Sequence, residues 1–378
     1  MSRRGLLIAG GALASTAGTT LPPRVSPAGG GDMPGGGDPG DNSGRAGKID
    51  VHHHYTAPEW VEWAERAGVV REEDLLWWAR WDEDATLALM DRAGIATAVL
   101  NPTMQDRYRS AAQAREGLSV LFDALTGLTH RHPGRFALLC PAPLDHPDVT
   151  TWALERAYDD LGAVGVSVKA NHDGVYLGDP SYDRFLAEVD ERSAVLFTHP
   201  LDLPGKPPGA PTVAGVPNFM CDFLLDTTRA AVNLIRTRTL DRYARLSVVL
   251  PHAGGFLPQI ATRLEAFGDH CTPALDPGRV RDALHRFYYD TAGPLAPACT
   301  LVETAGADRI LFGTDWPAAS AEIITEHTMP AVASDHAFTE HQRRGIYHGN
   351  ARRLMPALGA PAVPVTGSAG ARPQATRQ

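Results

Sequence analysis

Residues 48–54 read KIDVHHH, a short apolar run that ends in three imidazoles. Side chains alternate faces along a strand, so His52 and His54 point one way and His53 the other. Two imidazoles converging at a strand end are either a metal site or hydrogen-bonded core residues. Seven further apolar, β-rich runs follow, at 95–101, 135–140, 164–169, 194–199, 246–251, 286–290 and 309–313, with amphipathic helical patterns between them. In one of these, Tyr182, Phe185, Leu186 and Val189 keep the i, i+3, i+4, i+7 spacing of a helix, behind Ser181 as the expected N-cap. Apolar strands alternating with helices imply parallel pairing with both faces covered. Eight such units match the count and length of an α/β fold of the (β/α)8 TIM-barrel type. An open doubly wound sheet is the alternative. It loses its commonest functions, because no G-x-G-x-x-G follows the first run and no G-x-x-x-x-G-K-[ST] occurs.

The barrel is expected over 48–357. Residues 1–27, with Arg3–Arg4, a short apolar stretch and small residues, have the layout of a twin-arginine-like export signal; a mistaken start codon would leave the protein cytoplasmic. The Gly/Pro-rich segment 28–47 reads as a linker and 358–378 as a disordered tail. The apolar stretch near the N-terminus is too short for a stable membrane span. Residues 58–81, carrying Trp60, Trp63, Trp77, Trp78 and Trp81, form a small inserted helical segment after the first strand, either a lid or a packed subdomain. The formal net charge is −9 and the pI near 5.9, without a dense basic run beyond the first residues, which argues against nucleic acid as a partner. Cys140, Cys221, Cys271 and Cys299 lie far apart and form no metal knuckle.

Catalytic groups in such barrels sit where strands end. The first run ends in His52 and His54, the fifth in His199 before Pro200. The sixth leads into His252 in PHAGG and the eighth into Asp315 in FGTDWP. Any one of these alone reads as an ordinary core histidine or turn aspartate. Their joint placement on four strand ends is the signal, since imidazole nitrogen and carboxylate oxygen suit Zn²⁺ and similar ions. His130, His132, His146, His172 and His270 fall on helices or loops and read as surface.

The motifs IDVHHH, LFTHP, PHAGGFLP, ILFGTDWP and GIYHGNARRLM resemble the amidohydrolase-related family, from about Lys48 to Met355. More narrowly they are similar to its decarboxylase branch, which includes aminocarboxymuconate semialdehyde, salicylate-type and 6-methylsalicylate decarboxylases. The resemblance implies one divalent metal, Zn²⁺ with Mn²⁺ as the alternative, held by His52, His54, His199 and Asp315, with His252 as an acid/base. It also implies a homodimer. The stretch NFMCDFLLDTTRAAVNLI (218–235) is similar to the branch's substrate loop and helix, which makes Asp222 and Arg229 candidates for substrate binding.

The implied reaction is non-oxidative decarboxylation of a small aromatic or unsaturated carboxylic acid, hydroxybenzoate-like, with Asp315 or His252 protonating the ring carbon. Asp315 would then need a raised pKa. The rival is a metal-dependent hydrolase of an amide, ester or lactone, in which His252 takes a proton from metal-bound water. Lys169, at the fourth run's end, bears on both readings. It is a third candidate for substrate binding, or, carbamylated, the bridge between two metals in a hydrolase. A binding protein that has lost the chemistry is the third reading, and the complete residue set speaks against it.

Overall fold

The computed structural model describes residues 47–70, 80–102, 108–207, 209–293 and 298–359. The expected export signal, nearly all of the linker and tail, and Trp77 and Trp78 lie outside the described residues.

Eight strands pair in parallel, in the order β1 (Lys48–Tyr55), β2 (Ile95–Pro102), β3 (Phe136–Pro141), β4 (Gly165–Lys169), β7 (Val195–His199), β8 (Ser247–Leu250), β9 (Tyr288–Asp290) and β10 (Ile310–Leu311). A two-stranded antiparallel hairpin, β5 (Asn171–His172) and β6 (Val175–Tyr176), branches off after β4. The barrel closes between its first and last strands through Val51 N–H to Phe312 O, Asp315 N–H to His52 O and His54 N–H to Trp316 O. This is the expected (β/α)8 TIM barrel.

Two apolar layers hold it. Ile49, Val51, Val99, Leu139, Val195, Phe197, Val249 and Leu311 fill the interior, where Ala351 and Met355 join them. Asn350, in the same short helix Asn350–Leu354, donates through Nδ2 to the carbonyls of Ala307 and Ile310, so this helix closes the end of the barrel where the strands begin. The opposite parity, including Leu100, Leu138, Val166, Val168, Val248, Leu250 and Phe312, packs outward in the cluster that contains Leu118, Leu121, Phe122 and Leu125 of helix α3 (Ala111–Arg131). Each such large side chain contributes about 1.5–3 kcal/mol on burial.

The insertion after β1 is a packed flank. Helix α1 (Pro58–Arg66) starts on a proline whose missing N–H costs nothing at that position. Its Trp63 lies against Gly117 of α3, where an added Cβ would come within 2.6 Å of the indole. Trp60, Trp63 and Trp81 are all buried in the outer cluster. Two local expectations are corrected. Ser181 does not cap a helix; Asp179 accepts its N–H at the start of the 3-10 turn Pro180–Tyr182, and the helix proper begins at Asp183. His172 is buried on β5. Among the described residues no helix is long and apolar enough to cross a membrane.

Candidate metal centre

His52 and His54 reach the mouth because β1 carries a bulge. Asp50 pairs with Ala98 and His53 with Leu100, a one-residue shift of register inside the strand. Ile49 and Val51 belong to the interior cluster, and His52 also faces inward, its ring 5.2 Å from that of Phe197. Asp50 and His53 point outward, where Asp50 Oδ2 accepts from His53 Nδ1 at 2.9 Å. The same carboxylate accepts the N–H groups of His52 and Thr314 and the Thr314 hydroxyl, tying the bulge to the segment after β10.

His199 ends β7 on the inward parity of Val195 and Phe197, and its Nδ1 donates to Pro200 O at 2.9 Å. Asp315 adopts φ +66, and its carboxylate reaches His54 Nε2 at 2.9 Å and His52 Nε2 at 3.1 Å. His52, His54, His199 and Asp315 each offer one atom to a group whose members all lie within 4.8 Å of one another. His252 stands beside them in the turn after β8, with its ring 5.1 Å from His52 and its Nε2 3.6 Å from Asp315 Oδ2.

Charge distribution follows from burial and neighbours. Burial opposes a proton on His54, and still more on His199, where the surrounding imidazoles add to the effect; both are held below the ordinary histidine value. Burial also opposes a charge on His52, but the carboxylates of Asp290 and Asp315 on its two nitrogens outweigh it and raise its pKa. For Asp315 burial favours the neutral acid, yet the charge on His52 and hydrogen bonds from His252, His52 and His54 hold it well below the carboxylate range.

The residues fit a divalent cation. Three imidazoles and one carboxylate are the donor set such ions take. His52 Nδ1 and His199 Nδ1 are occupied by Asp290 and a backbone carbonyl, the outer partners that ligating histidines use. The other ring nitrogen of His52, Nε2, is buried and lies 3.1 Å from the Asp315 carboxylate, on the side where the four donor groups converge.

The remaining candidates disperse. Lys169 ends β4 in register with His199, so it is at the mouth. Asp222, on helix α6 (Asn218–Arg236), accepts the N–H of Thr212 and so anchors the preceding loop. Arg229 is exposed on the same helix, beside Tyr176 and Asp226. Sequence reading passed over Asp50, Asp226 and Asp290. The parity of the seventh run, RFYYD, could have found Asp290, since its last residue faces inward when Tyr289 packs outward.

A model of the amidohydrolase family matches residues 49–356. The chain belongs to the amidohydrolase family. Within this family, a gamma-resorcylate decarboxylase of Rhizobium radiobacter is 29% identical over 341 residues, 82% of this chain and 98% of that protein. Other matches are named 6-methylsalicylic acid decarboxylase and 2-amino-3-carboxymuconate-6-semialdehyde decarboxylase. Among solved structures, a 2,6-dihydroxybenzoate decarboxylase complexed with 2,6-dihydroxybenzoate superposes with a TM-score of 0.68 at 27% identity, covering 82% of this chain and 99% of that one. A dihydroxybenzoic acid decarboxylase of Polaromonas sp. JS666, with bound manganese and the inhibitor 2-nitroresorcinol, gives 0.68 at 25%, covering 82% and 97%. These likenesses mark this amidohydrolase-family chain as a carboxy-lyase.

Proposed function

We propose that the protein is a metal-dependent, non-oxidative decarboxylase of a small hydroxybenzoate-like acid. The observation that carries this reading is the convergence of His52, His54, His199 and Asp315 on one point with His252 alongside. The divalent ion, Zn²⁺ or Mn²⁺, would supply charge neutralisation for the substrate's carboxylate and neighbouring phenolic oxygen.

This chain's residues do the rest. His54 and His199 stay neutral and keep lone pairs available as ligands. His252 stands beside the four converging donors and is not one of them, which favours it over Asp315 as the proton donor. His252 protonates the ring carbon bearing the carboxylate, and the bond to that carboxylate then breaks. CO₂ leaves and the bonding pair restores the aromatic ring, after which His252 regains a proton from solvent. The dry walls formed by Phe197 and the buried strand ends strengthen each of these electrostatic effects.

The test is to load purified protein with zinc or manganese and screen hydroxybenzoates for loss of acid and appearance of the phenol. Full metal loading without turnover of any of them would overturn the reading. Two ions per chain, with cleavage of an amide, ester or lactone, would favour the hydrolase, in which Lys169 would be the carbamylated bridge.

The proposal extends to assembly and location. Val213, Phe219 and Met220, exposed around the start of α6, suit the face of a homodimer, and a monomer by light scattering at micromolar concentration would exclude it. Export through the twin-arginine-like signal is checked by fractionating cells that express the full chain.

A further inference from the structure

We infer that Asp290 is a positioning residue whose one carboxylate both selects the coordinating nitrogen of His52 and sets the place of His252. The inference rests on the metal-centre reading above and adds a residue that touches neither substrate nor metal.

Asp290 ends β9 and is fully buried. Its Oδ2 lies 2.7 Å from His52 Nδ1. A carboxylate oxygen accepts, so in the neutral ring that would coordinate a cation the proton sits on Nδ1 and Nε2 offers its lone pair on the side of Asp315. Reversing that tautomer would aim an N–H at the cation.

The other oxygen, Oδ1, accepts the backbone N–H groups of His252 at 2.8 Å and Ala292 at 3.0 Å. His252 opens a run of four residues with positive φ: His252 at +53, Ala253 at +54, Gly254 at +75 and Gly255 at +63. The first two bear a Cβ and are strained in this region, so the turn persists only where its surroundings hold it. Asp290 grips it at the front. At the rear, Thr228 Oγ1 on α6 accepts the N–H of Phe256 at 2.8 Å. The ring of Tyr289 lies under Gly254, where an added Cβ would meet it at 2.8 Å. One side chain therefore ties His52 on the first strand to His252 after the sixth barrel strand.

Asp290→Asn tests this with little change of shape. If the amide oxygen keeps the backbone N–H groups, the amide nitrogen faces His52 Nδ1, which must become the acceptor. Nε2 then carries the proton and no longer coordinates. Metal affinity, measured by competition with a chromophoric chelator on apoprotein titrated with Zn²⁺, should fall about 10–100-fold. The visible spectrum of the Co²⁺-loaded protein should change with it. Thr228→Val, which loosens only the rear hold, should lower kcat and leave metal affinity unchanged. Asp290→Ala supplies a second measurement if the asparagine variant folds poorly, since formate fills the space of the lost carboxylate and should restore metal affinity.

Wild-type affinity and an unchanged Co²⁺ spectrum in Asp290→Asn would overturn the assignment while leaving the decarboxylase reading intact. A wild-type chain that binds no divalent ion would overturn both. Metal binding without decarboxylation in the wild type, with weakened binding in Asp290→Asn, would sustain the assignment and remove the reaction.

Discussion

Val51 and His52 are neighbours in the chain, yet both side chains face the inside of the barrel. Val51 packs with Val99, Val249 and Leu311, and the ring of His52 stands 5.2 Å from that of Phe197. The bulge between Asp50 and His53 makes this possible. Without it, the inward parity of Ile49 and Val51 would bring His53 to the mouth and turn His52 and His54 outward.

Asp50 is the fastening of that bulge, since its buried carboxylate accepts hydrogen bonds from His52 N, His53 Nδ1 and both the N–H and the hydroxyl of Thr314. Asp50→Ala leaves those donors unpaired and should cost about 3 kcal/mol or more in urea unfolding, as loss of one partner in a buried charged network does. A variant as stable as the wild type would show that the strand holds its bulge without the carboxylate.

Replacing the histidines of β1 one at a time should give opposite results. His52→Ala and His54→Ala each delete a donor and should emerge from chelator dialysis and reloading with little metal. His53→Ala should keep its metal and most of its turnover. It should nevertheless lose about 2–4 kcal/mol of stability, because a fully buried ring is removed and Asp50 loses a donor. Equal metal loss in all three would contradict the facing of β1.

Asp226 should leave a signature in the pH dependence of stability. It is fully buried on α6 and accepts from Asn171 Nδ2, Tyr176 Oη and Leu201 N, joining the β5–β6 hairpin and the segment after His199 to one helix. Burial, against those donors and Arg229, pushes its pKa up to about 6. The unfolded carboxyl titrates near about 4, so the folded state holds this proton more tightly. The resulting stabilisation is present below about pH 4 and is lost as pH rises through about 6, amounting to about 3 kcal/mol at most. In the difference between wild type and Asp226→Asn, urea unfolding from pH 4 to 7 should show this fall. A difference that does not vary with pH would exclude it.

Gly255 has φ +63 and ψ −123, and an added Cβ there would collide with Leu224 O and lie 2.8 Å from Thr228 Oγ1. Gly255→Ala should lower stability by about 2 kcal/mol or more through strain and overlap together. It should also displace His252, so kcat falls further than KM rises while metal content is kept. Thermal unfolding and steady-state kinetics check both, and unchanged kcat would separate the turn from catalysis.

The barrel was legible because its determinants are local and repeated. Eight apolar runs spaced by amphipathic helices leave few ways to cover both faces of a parallel sheet. His199 could be placed because it extends the inward parity of Val195 and Phe197, and Asp315 because it lies just past the end of the eighth run. Ser181 was misread because a 3-10 turn capped by Asp179 occupies the expected helix start.

Chain order and residue type alone determined the fold, the strand ends that carry imidazole and carboxylate, and the shared face of His52 and His54. Tertiary structure alone decided which face that is, because a bulge is a matter of register against β2 and leaves no mark in the alternation of one strand. It also decided the roles of Asp50, Asp226 and Asp290, whose partners lie up to 264 residues away. A buried carboxylate is defined by the donors that surround it, and only closure of the barrel brings those donors together.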